Sequence, residues 1–491
     1  MIANSGGASA GLCCALMTAL RFGAYIGGRQ LESQSYDVVS SPYDGRAAGE
    51  VALADRALLE QAMAGAAATF RAWSRSPTHE RALVLERLAL AIEREQVELA
   101  RLITLESGKP IRYARAEVAR AASTFRLGAA EARVLGGEVM PSDQLAGAEG
   151  RLTLFRRVPR GPIAGIAPFN FPLNLVAHKL APALAIGAPL VLKAAPQAPL
   201  TAHRLAQLVS EAGAPAHAFD VLHLTRDVAE VLATDPRLPV LSFTGSDMVG
   251  WHLEAVARRK QVVLELGGNA PCLIDETAEL DALLPRLVDA SFGNAGQVCI
   301  KAQRVFVVAS RFEEVRRRFV ELAAALAVGD PLDERTVVGP MIEARHVERV
   351  LAWVEEARRD GAEVCCGGSA QGNVLLPTVL TGTRPEQRVC KDEIFGPVTV
   401  LESVPDFAAG LAACNASRFG IQAAVFTRDL SRALAAYDEL DFPGVLVNDA
   451  PSFRVDNVPY GGVRDSGRGR EGVRFAIEEL TETKLLSLRG V

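Results

Sequence analysis

The chain has little of several features that mark whole classes of protein. It has eight cysteines but no C-x-x-C pair, and its seven histidines are scattered, so no metal-ligand spacing is present. Four of the cysteines form two adjacent pairs, and a chain of 491 residues does not need disulfides for stability, so a reducing cytoplasm is predicted. The net charge of -5 gives no strongly basic surface, and no apolar run could span a bilayer. We therefore expect no nucleic acid partner, no membrane partner and no metal.

The N-terminal segment carries one apolar run, LCCALMTAL, from Leu12 to Leu20. The run has the length of a secretion signal, but no Lys or Arg precedes it and no clear small-residue cleavage site follows it. The favoured interpretation is a disordered leader over residues 1–20, with Met17 as the true start of the protein, and a secretion signal is the alternative.

The order of helix-like and strand-like segments predicts an α/β protein with more than one domain. Residues 55–137 repeat apolar positions at helical spacing and are expected to form three long helices. From Arg151, short apolar runs alternate with helical ones, a pattern that builds a parallel sheet covered on both faces. A second such series begins near Pro271, so a domain boundary is expected at 267–269.

One glycine-rich stretch, GRGREG from Gly467 to Gly472, matches the G-x-G-x-x-G pattern of dinucleotide-binding loops. No strand-like run precedes it, and too few residues follow it to supply the acidic residue that the pattern requires. It is interpreted as a turn that opens a helix from Val473 to Glu479.

Two stretches at predicted strand ends have features of an anion-binding site. In SFTGSDMVG a strand ends at Phe243 and a helix begins after Ser246, so free N–H groups and the helix dipole would attract pyrophosphate. Gly245 permits close approach of a ligand, although an ordinary Ser N-cap explains the same pattern. In VLKAAP, Lys193 lies at the carboxyl end of a strand, and the alternative is a solvated surface lysine.

Three residues are candidates for catalysis. Cys299, in FGNAGQVCIKAQR, follows a glycine-rich turn, a placement that suits a reactive thiol better than a core cysteine. Asn170, in APFNFPLN, is either an oxyanion donor aimed by a rigid loop or an Asn that satisfies its own turn. Glu265, in VLELGGN, is either a general base whose pKa is raised by burial or half of a structural ion pair.

Six motifs occur together and in one order: PFNFP, FTGS, ELGG, GQVC, EIFGPV and PYGGVRDSG. The order and the separations of these motifs resemble those of the NAD(P)-dependent aldehyde dehydrogenase superfamily, and the resemblance extends from Leu20 to Leu488. The run FRVDNVPYGGVRDSGRGREG is similar to the lactaldehyde, phosphonoacetaldehyde and non-phosphorylating glyceraldehyde-3-phosphate dehydrogenase branches. The last branch is less favoured, because Val298 stands where that branch can carry Arg.

The resemblance implies an α/β fold with two doubly wound parallel-sheet domains, one Rossmann-like and one catalytic, and a small β extension for oligomerisation. The implied NAD(P)-binding domain is 21–138 with 159–266, the catalytic domain is 267–470, and the oligomerisation segment is 139–158 with 471–491. A homodimer or homotetramer is expected, in which the strands at Arg151 to Val158 and Lys484 to Leu488 complete a sheet of a neighbouring subunit.

The resemblance also implies a role for each matching residue. Cys299 would be the nucleophile, Glu265 the general base and Lys179 a supporting group near the proton path, while Asn170 and the Cys299 N–H would form the oxyanion hole. Lys193 would meet the adenosine ribose, Glu393 the nicotinamide ribose and Phe395 the nicotinamide ring. The residues implied to bind the cofactor are Pro168, Phe169, Lys193, Phe243, Gly245, Ser246, Gly250, Leu266, Glu393 and Phe395.

The chain departs from the family pattern at one cofactor position. The family usually has K-P-[SA]-E where this chain has KAAP, so Pro196 replaces a glutamate that binds the adenosine ribose. Loss of that carboxylate removes repulsion of a 2′-phosphate, while Lys193 remains. The predicted cofactor is NAD or NADP, with NADP tolerated or preferred.

The substrate is expected to be a small hydroxylated or anionic aldehyde. Arg454 precedes the PYGG motif that borders the substrate tunnel of the family, and Arg suits bidentate capture of an anion. Arg112 is a second candidate, with Arg115 and Lys301 as further ones. An inter-subunit salt bridge is the alternative for Arg454.

Two other functions stay open from the sequence. A CoA-acylating semialdehyde dehydrogenase would pass the acyl group to CoA, but family members of that type tend to lack the base at Glu265. A catalytically silent relative would have no need of Cys299, Glu265 and Asn170 together.

Overall fold

The computed structural model describes residues 20–490. The leader that the sequence predicts over residues 1–20 lies outside this part of the chain, except for Leu20, which begins a strand. No helix between residues 20 and 490 is long and apolar enough to cross a membrane.

The first half of the chain begins with β1 (Leu20–Phe22), β2 (Ala24–Ile26), β3 (Arg29–Leu31), β4 (Tyr36–Ser40), β5 (Ala47–Ala52), α1 (Arg56–Trp73), α2 (Thr78–Arg94), α3 (Gln96–Ser107) and α4 (Ile111–Val134). It continues with β6 (Gly137–Met140), β7 (Arg151–Pro159), β8 (Ile163–Ile166), α5 (Asn174–Ile186), β9 (Leu190–Lys193), α6 (Leu200–Glu211), β10 (Phe219–Leu222), α7 (Arg226–Thr234), β11 (Val240–Thr244), α8 (Asp247–Ala257) and β12 (Gln261–Glu265).

The second half begins with β13 (Ala270–Ile274), α9 (Leu280–Phe292), β14 (Ala302–Val308), α10 (Phe312–Ala324), α11 (Ala344–Arg359), β15 (Glu363–Cys366), β16 (Ala370–Gln371), β17 (Val374–Leu375), β18 (Thr378–Thr381) and α12 (Arg388–Lys391). It ends with β19 (Val398–Val404), α13 (Phe407–Asn415), β20 (Phe419–Gly420), β21 (Gln422–Phe426), α14 (Leu430–Glu439), β22 (Gly444–Val447), β23 (Val463–Arg464), β24 (Gly467–Arg468), α15 (Val473–Leu480) and β25 (Thr481–Arg489).

Two large sheets form the centre of the molecule. The first has the order β24-β12-β11-β8-β9-β10-β2-β3, and its five central strands, β8 to β12, are parallel. The second has the order β15-β18-β19-β14-β13-β21-β22 and is parallel except for β15. Each sheet separates two clusters of buried apolar side chains, which its covering helices complete. The predicted α/β class with two doubly wound sheets is confirmed.

One segment that the sequence predicts as a single helix is two helices. The apolar periodicity runs from residue 82 to residue 106, but the chain leaves the helical conformation at Glu95, with φ of -101° and ψ of 21°. The carboxylate of Glu95 accepts a hydrogen bond from Nε of Arg204 on α6, at 2.8 Å. The N-terminal region therefore has four helices rather than three, because a contact distant in sequence fixes the break.

The strand β12 ends in the first sheet and β13 begins in the second, on either side of the expected boundary at 267–269. The GRGREG stretch is more than a turn. Gly467 and Arg468 form the edge strand β24 beside β12, and Gly472, with φ of 92°, precedes α15.

A small antiparallel sheet, in the order β25-β7-β6, lies apart from the two large sheets. β25 pairs with β7 along its whole length, from Thr481 opposite Pro159 to Arg489 opposite Arg151. The two segments that the sequence assigned to a sheet of a neighbouring subunit therefore pair with each other inside one chain. Among residues 20–490, no strand covers the other edge of β25.

Candidate active site

The carboxyl ends of four neighbouring parallel strands meet at one edge of the first sheet. β8 leads into the loop at 168–170, β9 ends at Lys193, β11 leads to Gly245, and β12 ends at Glu265. Ligands of open parallel sheets bind at this edge because the loops there converge on one crevice. The fold thus gathers most of the predicted site residues, although they are far apart in the sequence.

The turn before Cys299 is strained. After α9, Asn294 and Ala295 both have φ of 54°, and Gly296 has φ of 64°. Left-handed conformations cost non-glycine residues of order 1–3 kcal/mol each, and they cluster at functional sites. A Cβ on Gly296 would lie 2.3 Å from the carbonyl oxygen of Gly396, so only glycine fits there. The turn leaves Cys299 half-buried, ahead of β14.

The Cys299 thiol lies among several polar groups. Its Sγ is 3.2 Å from the hydroxyl oxygen of Tyr460. Burial raises the pKa of the thiol to about 11; the Tyr460 hydroxyl and Arg454 act to lower that pKa, whereas the carboxylates of Glu393 and Glu265 raise it. With a pKa in this range, the thiol is protonated at neutral pH.

Glu265 is buried at the end of β12, with 4% of its surface exposed. Neither of its carboxylate oxygens has a hydrogen-bond partner among the described residues. Burial raises the pKa of this carboxyl well above its ordinary value, and the nearby Glu471 raises it further, while Arg454 and Lys179 oppose the shift. The Lys179 ammonium itself donates to hydroxyls on β11, those of Ser242 at 3.0 Å and Thr244 at 2.7 Å.

Asn170 points its amide at the loop that carries Cys299. The Asn170 Nδ2 donates to the carbonyl oxygen of Gln297 at 2.9 Å, and since an amide nitrogen has two N–H groups, one remains free. A buried carboxylate holds the loop in place: Oε1 of Glu117 accepts from the backbone N–H groups of Leu173 at 2.9 Å and Asn174 at 3.0 Å.

The predicted nicotinamide side of the cleft is built by Glu393 and two rings. The Glu393 Oε1 accepts a hydrogen bond from the Gly268 N–H at 2.9 Å, and burial raises the pKa of this carboxyl to about 7. The rings of Phe169 and Phe395 meet edge to face, with centroids 6.1 Å apart. A Cβ on Gly267 would lie 2.3 Å from the Glu393 carboxylate, so the glycine leaves room for that side chain.

The predicted pyrophosphate side lies at the N-terminus of α8. The Ser246 side chain makes no capping hydrogen bond there, so the alternative of an ordinary Ser N-cap does not describe this helix. A Cβ on Gly245 would lie 2.6 Å from the Phe243 ring, and one on Gly250 would lie 2.3 Å from Leu266. In the first turn, Oδ1 of Asp247 accepts a hydrogen bond from the Met248 N–H at 2.9 Å, while the Ser246 side chain leaves the helix end open to a ligand. This helix end is the predicted position of a dinucleotide phosphate.

Lys193 has capacity for a further anion. Its ammonium makes one long hydrogen bond, to the Ala194 carbonyl at 3.3 Å. Burial, with a smaller contribution from the charge of Arg226 at the start of α7, lowers the pKa of Lys193 to about 8. The two cations are thus close enough to affect each other at this edge of the sheet.

The arginine that the sequence proposed for substrate binding has partners within its own chain. Arg454 has 6% of its side chain exposed, and its Nη2 lies 2.8 Å from Oε2 of Glu471. Its Nε lies 3.5 Å from Oδ1 of Asp456, and its guanidinium carbon is 3.6 Å from the centroid of the Tyr460 ring. Arg112 is exposed on α4, 5.3 Å from the ring centroid of Tyr113.

The two further substrate candidates lie elsewhere. Arg115 is an exposed partner of Glu334, and Lys301 is buried and donates to the Val398 carbonyl. Neither side chain lines the cavity beside Tyr460.

A cavity of about 360 Å³ opens beside Tyr460. Its apolar wall includes Phe453 and Val458, and its cations are Arg454 and Arg470. No Asp or Glu is among its lining residues within the described chain. The cavity is therefore largely apolar, and because Glu471 pairs with Arg454, Arg470 is the lining cation available to a substrate anion. The cavity ends at Tyr460, whose hydroxyl contacts the Cys299 thiol.

Tyr460, Glu471 and Arg226 had no role predicted from the sequence. Tyr460 lies in the motif PYGG and Glu471 in the stretch GREG, so the sequence marked both positions. The sequence could not predict which groups each side chain would contact. Arg226 follows a strand-to-helix turn that has no motif of its own.

The family comparison agrees with this architecture. A model described as the aldehyde dehydrogenase family matches residues 30–486. The chain is 38% identical over 471 residues to 3-sulfolactaldehyde dehydrogenase of Priestia aryabhattai, covering 95% of this chain and 98% of that relative. This chain belongs to the aldehyde dehydrogenase family.

Two solved structures are similar to it. Aldehyde dehydrogenase 21 from Physcomitrella patens, in complex with the reaction product succinate, has a TM-score of 0.95 and 38% identity over 96% of this chain and 99% of that chain. The glyceraldehyde-3-phosphate dehydrogenase GapN from Methanocaldococcus jannaschii, complexed with NADP, has a TM-score of 0.89 and 34% identity over 93% of this chain and 100% of that chain. The protein is thus an NAD(P)-dependent oxidoreductase that acts on aldehydes.

Proposed function

We propose that the protein oxidises a small anionic aldehyde to its carboxylic acid through a covalent intermediate on Cys299. The observation that carries the proposal is the half-buried thiol at the end of a strained turn, with the Asn170 amide donating to its loop. Near the thiol lies Glu265, whose carboxylate has no hydrogen-bond partner between residues 20 and 490. A structural core cysteine would need none of these neighbours.

The chemistry uses each of these groups once. The Cys299 thiol loses its proton to solvent, the thiolate adds to the aldehyde carbon, and the second N–H of Asn170 with the Cys299 N–H stabilises the resulting oxyanion. One such donor is typically worth about 3 kcal/mol. A nicotinamide cofactor, which Glu393 and Phe395 would hold beside Cys299, would supply the acceptor for the hydride that leaves the thiohemiacetal carbon. Glu265 then takes a proton from the water that attacks the thioester, so the acid is released and the thiolate is restored.

The anionic substrate is proposed from the cavity beside Tyr460. Two guanidinium groups and no carboxylate line it, and a low-dielectric wall strengthens their attraction for an anion. The relatives are consistent with this, since one is named for 3-sulfolactaldehyde and one was solved with succinate. Arg470 is the better candidate for direct contact, because Glu471 already holds Arg454.

The substrate proposal is tested with a panel of aldehydes followed by absorbance at 340 nm, with and without CoA. The panel contains 3-sulfolactaldehyde, succinate semialdehyde, lactaldehyde, glyceraldehyde 3-phosphate and the uncharged butanal. We expect Arg470→Gln to raise KM for the charged aldehydes about tenfold and to leave KM for butanal unchanged, and Arg112→Gln reports on the exposed candidate. A wild type that prefers butanal, or that turns over only with CoA, contradicts the proposal.

The role of Cys299 is tested separately with Cys299→Ala. No turnover is expected with any aldehyde, because no other group can form the thioester. The matched control is Cys365→Ala, which removes a half-buried thiol from β15 and is expected to keep full activity. Turnover by Cys299→Ala would contradict the proposal of a covalent intermediate on Cys299.

NADP is proposed as the preferred cofactor. Lys193 lies at the carboxyl end of β9, and Arg226 is near enough to lower the pKa of Lys193, so a second positive charge is close by. Pro196 removes the carboxylate that would repel a 2′-phosphate. We expect a higher kcat/KM with NADP than with NAD, and Pro196→Glu or Arg226→Gln should each shift the ratio toward NAD. A wild type with higher kcat/KM for NAD contradicts this proposal.

The small sheet is proposed as an oligomerisation segment, in the domain division 21–138 with 159–266, 267–470, and 139–158 with 471–491. Its strand β25 exposes Leu485, Leu486 and Leu488, and exposed leucines on a free strand edge favour pairing with another copy. We expect a homodimer or homotetramer by light scattering, and Leu486→Lys should weaken it, whereas the exposed Leu430→Lys on α14 should not. A monomeric wild type contradicts this.

A cytoplasmic location is proposed from the six free thiols within residues 20–490, one of which must stay reduced for catalysis. Cell fractionation checks this, and recovery of the enzyme outside the cytoplasm contradicts it.

A further inference from the structure

We propose that Tyr460 is a catalytic residue that donates a hydrogen bond to the Cys299 thiolate, both before the thiolate attacks the aldehyde and when it leaves the thioester. This role of Tyr460 rests on the proposed function, in which Cys299 is the nucleophile. Asn170 and the Cys299 N–H would donate to the oxyanion, whereas Tyr460 would donate to the sulfur.

The geometry is direct. The Tyr460 hydroxyl oxygen lies 3.2 Å from the Cys299 Sγ, and the hydroxyl has no other hydrogen-bond partner among the described residues. Either group can donate while the thiol is protonated. Once the thiol ionises, the phenol is the only one of the two that still carries a proton, so it must donate to sulfur. A hydrogen bond to the charged form of a group favours that form.

The structure fixes Tyr460 firmly at this place. Its backbone N–H donates to the Glu471 carbonyl at 3.1 Å, and the Glu471 N–H donates back to the Tyr460 carbonyl. The ring packs with Ile300 and Ile421 in a small apolar cluster that also touches Cys299. The hydroxyl is thus aimed by the backbone and by packing, so little entropy is lost when it bonds the thiolate.

A cation on the ring makes the phenol a better donor. The Arg454 guanidinium carbon lies 3.6 Å from the ring centroid, and a positive charge over the ring draws electron density from the hydroxyl. Glu471 holds that guanidinium in place at 2.8 Å. Arg454 is therefore inferred to act on the thiol through Tyr460, as a positioning residue.

The charged groups around the thiol explain why such a donor is needed. Glu265 at the end of β12 and Glu393 in the loop before β19 both raise the pKa of the thiol, and Arg454 lowers it. Burial acts in the same direction as the carboxylates. Tyr460 is the only neutral group in contact with sulfur that favours the thiolate within the described chain.

The test compares wild type with Tyr460→Phe, which removes one oxygen atom and keeps the ring. The rate of Cys299 alkylation by iodoacetamide is followed from pH 7 to pH 9.5 by mass spectrometry of the Cys299 peptide. Because the thiolate is the reacting form, we expect about a tenfold slower reaction at each pH, equivalent to a pKa about one unit higher. Steady-state kcat should fall with it, and the midpoint of thermal unfolding should hardly change.

Two comparisons keep the result clear. Tyr437→Phe, at an exposed tyrosine of α14, should alkylate like wild type. Replacement of Tyr460 by 3-fluorotyrosine makes the phenol more acidic and should speed alkylation. An unchanged or faster reaction in Tyr460→Phe overturns the proposal, since removal of an atom cannot hinder the reagent. Alkylation needs no turnover, so this outcome is independent of whether Cys299→Ala loses activity.

Discussion

Burial raises the pKa of both carboxyl groups of the candidate active site, Glu393 and Glu265. The pKa of Glu393 rises to about 7, and the hydrogen bond that it accepts from the Gly268 N–H limits the rise. Glu265 accepts no hydrogen bond from the described residues, and burial together with the nearby Glu471 raises the pKa of its carboxyl well above the ordinary value. Because this pKa is raised, a step that needs Glu265 as a base should speed up as the pH rises.

Replacement of the base separates the two halves of the reaction. In Glu265→Gln we expect one equivalent of NAD(P)H per site in a rapid burst, because hydride transfer does not need this carboxylate. Steady-state turnover should then be at least about 100-fold slower, and the rise of kcat with pH should be lost. Stopped-flow absorbance at 340 nm measures both phases.

A matched variant tests whether the loss belongs to this position. Glu98→Gln, at an exposed glutamate of α3, should keep the wild-type burst, rate and pH profile. If Glu265→Gln turns over at the wild-type rate, Glu265 is not the base.

Among the structural elements, the turn from Gly293 to Gly296 matters most for the site. Three consecutive residues adopt left-handed conformations there, and the carbonyl oxygen of Gly396 closes over the last of them. This packing fixes the path of the backbone between the end of α9 and Cys299. A rigid turn places the thiol without help from a ligand, which is why a small displacement there should reduce the rate.

Gly296→Ala should therefore damage catalysis more than folding. The new Cβ would lie 2.3 Å from the Gly396 oxygen, so the turn must move. We expect kcat to fall at least about tenfold, together with a loss of about 1–2 kcal/mol in the free energy of unfolding. Urea unfolding and steady-state kinetics measure the two effects.

Gly372→Ala is the matched control for the backbone penalty. Gly372 has φ of 56°, and nothing lies within 4 Å of its Cβ position. It should lose similar stability and keep full activity. Equal kinetics in the two variants would mean that the turn does not position the thiol.

On the scale of the whole molecule, the predicted cofactor cleft lies where the two large sheets meet, and one arginine contacts residues on both sides of it. The Arg418 Nη1 lies 2.7 Å from Asp247 at the start of α8 and 2.9 Å from Asp465. Its Nη2 lies 3.4 Å from Asp392, the residue before Glu393. The arginine thus connects the predicted pyrophosphate side with the predicted nicotinamide side.

Arg418→Gln should weaken the binding of NADP in the predicted cofactor cleft. Exposed ion pairs are individually weak, but three carboxylates share this guanidinium, so we expect the Kd of NADP to rise about three- to tenfold. Fluorescence titration in low and high salt measures the change, and added salt should weaken binding more in the wild type than in the variant.

The control for this change is Arg317→Gln. Arg317 pairs with Glu321 on the same exposed face of α10, so its loss removes one surface ion pair without affecting the cleft. An unchanged Kd in Arg418→Gln, with equal loss of thermal stability in both variants, would show that the arginine only stabilises the surface.

Local physical rules were enough for the framework. Alternating apolar runs and helical periods predicted the two parallel sheets, since strand and helix periods depend on neighbours in sequence. The motifs containing Asn170, Glu265 and Cys299 marked three strand-end loops. The break at Glu95 and the pairing of β7 with β25 were not predictable in this way, because Arg204 and residues more than three hundred positions away determine them.

By itself, therefore, the sequence determined the α/β class, the family and the position of the thiol. Only the tertiary structure decided which side chains surround that thiol. In the fold, the Tyr460 hydroxyl contacts the Cys299 sulfur, and Arg454 pairs with Glu471. Glu265 has no hydrogen-bond partner among the described residues, and Arg226 lies near enough to Lys193 to lower its pKa. The reason is that period and motif fix backbone positions, whereas side-chain direction, burial and the resulting pKa shifts depend on what the rest of the chain packs against them.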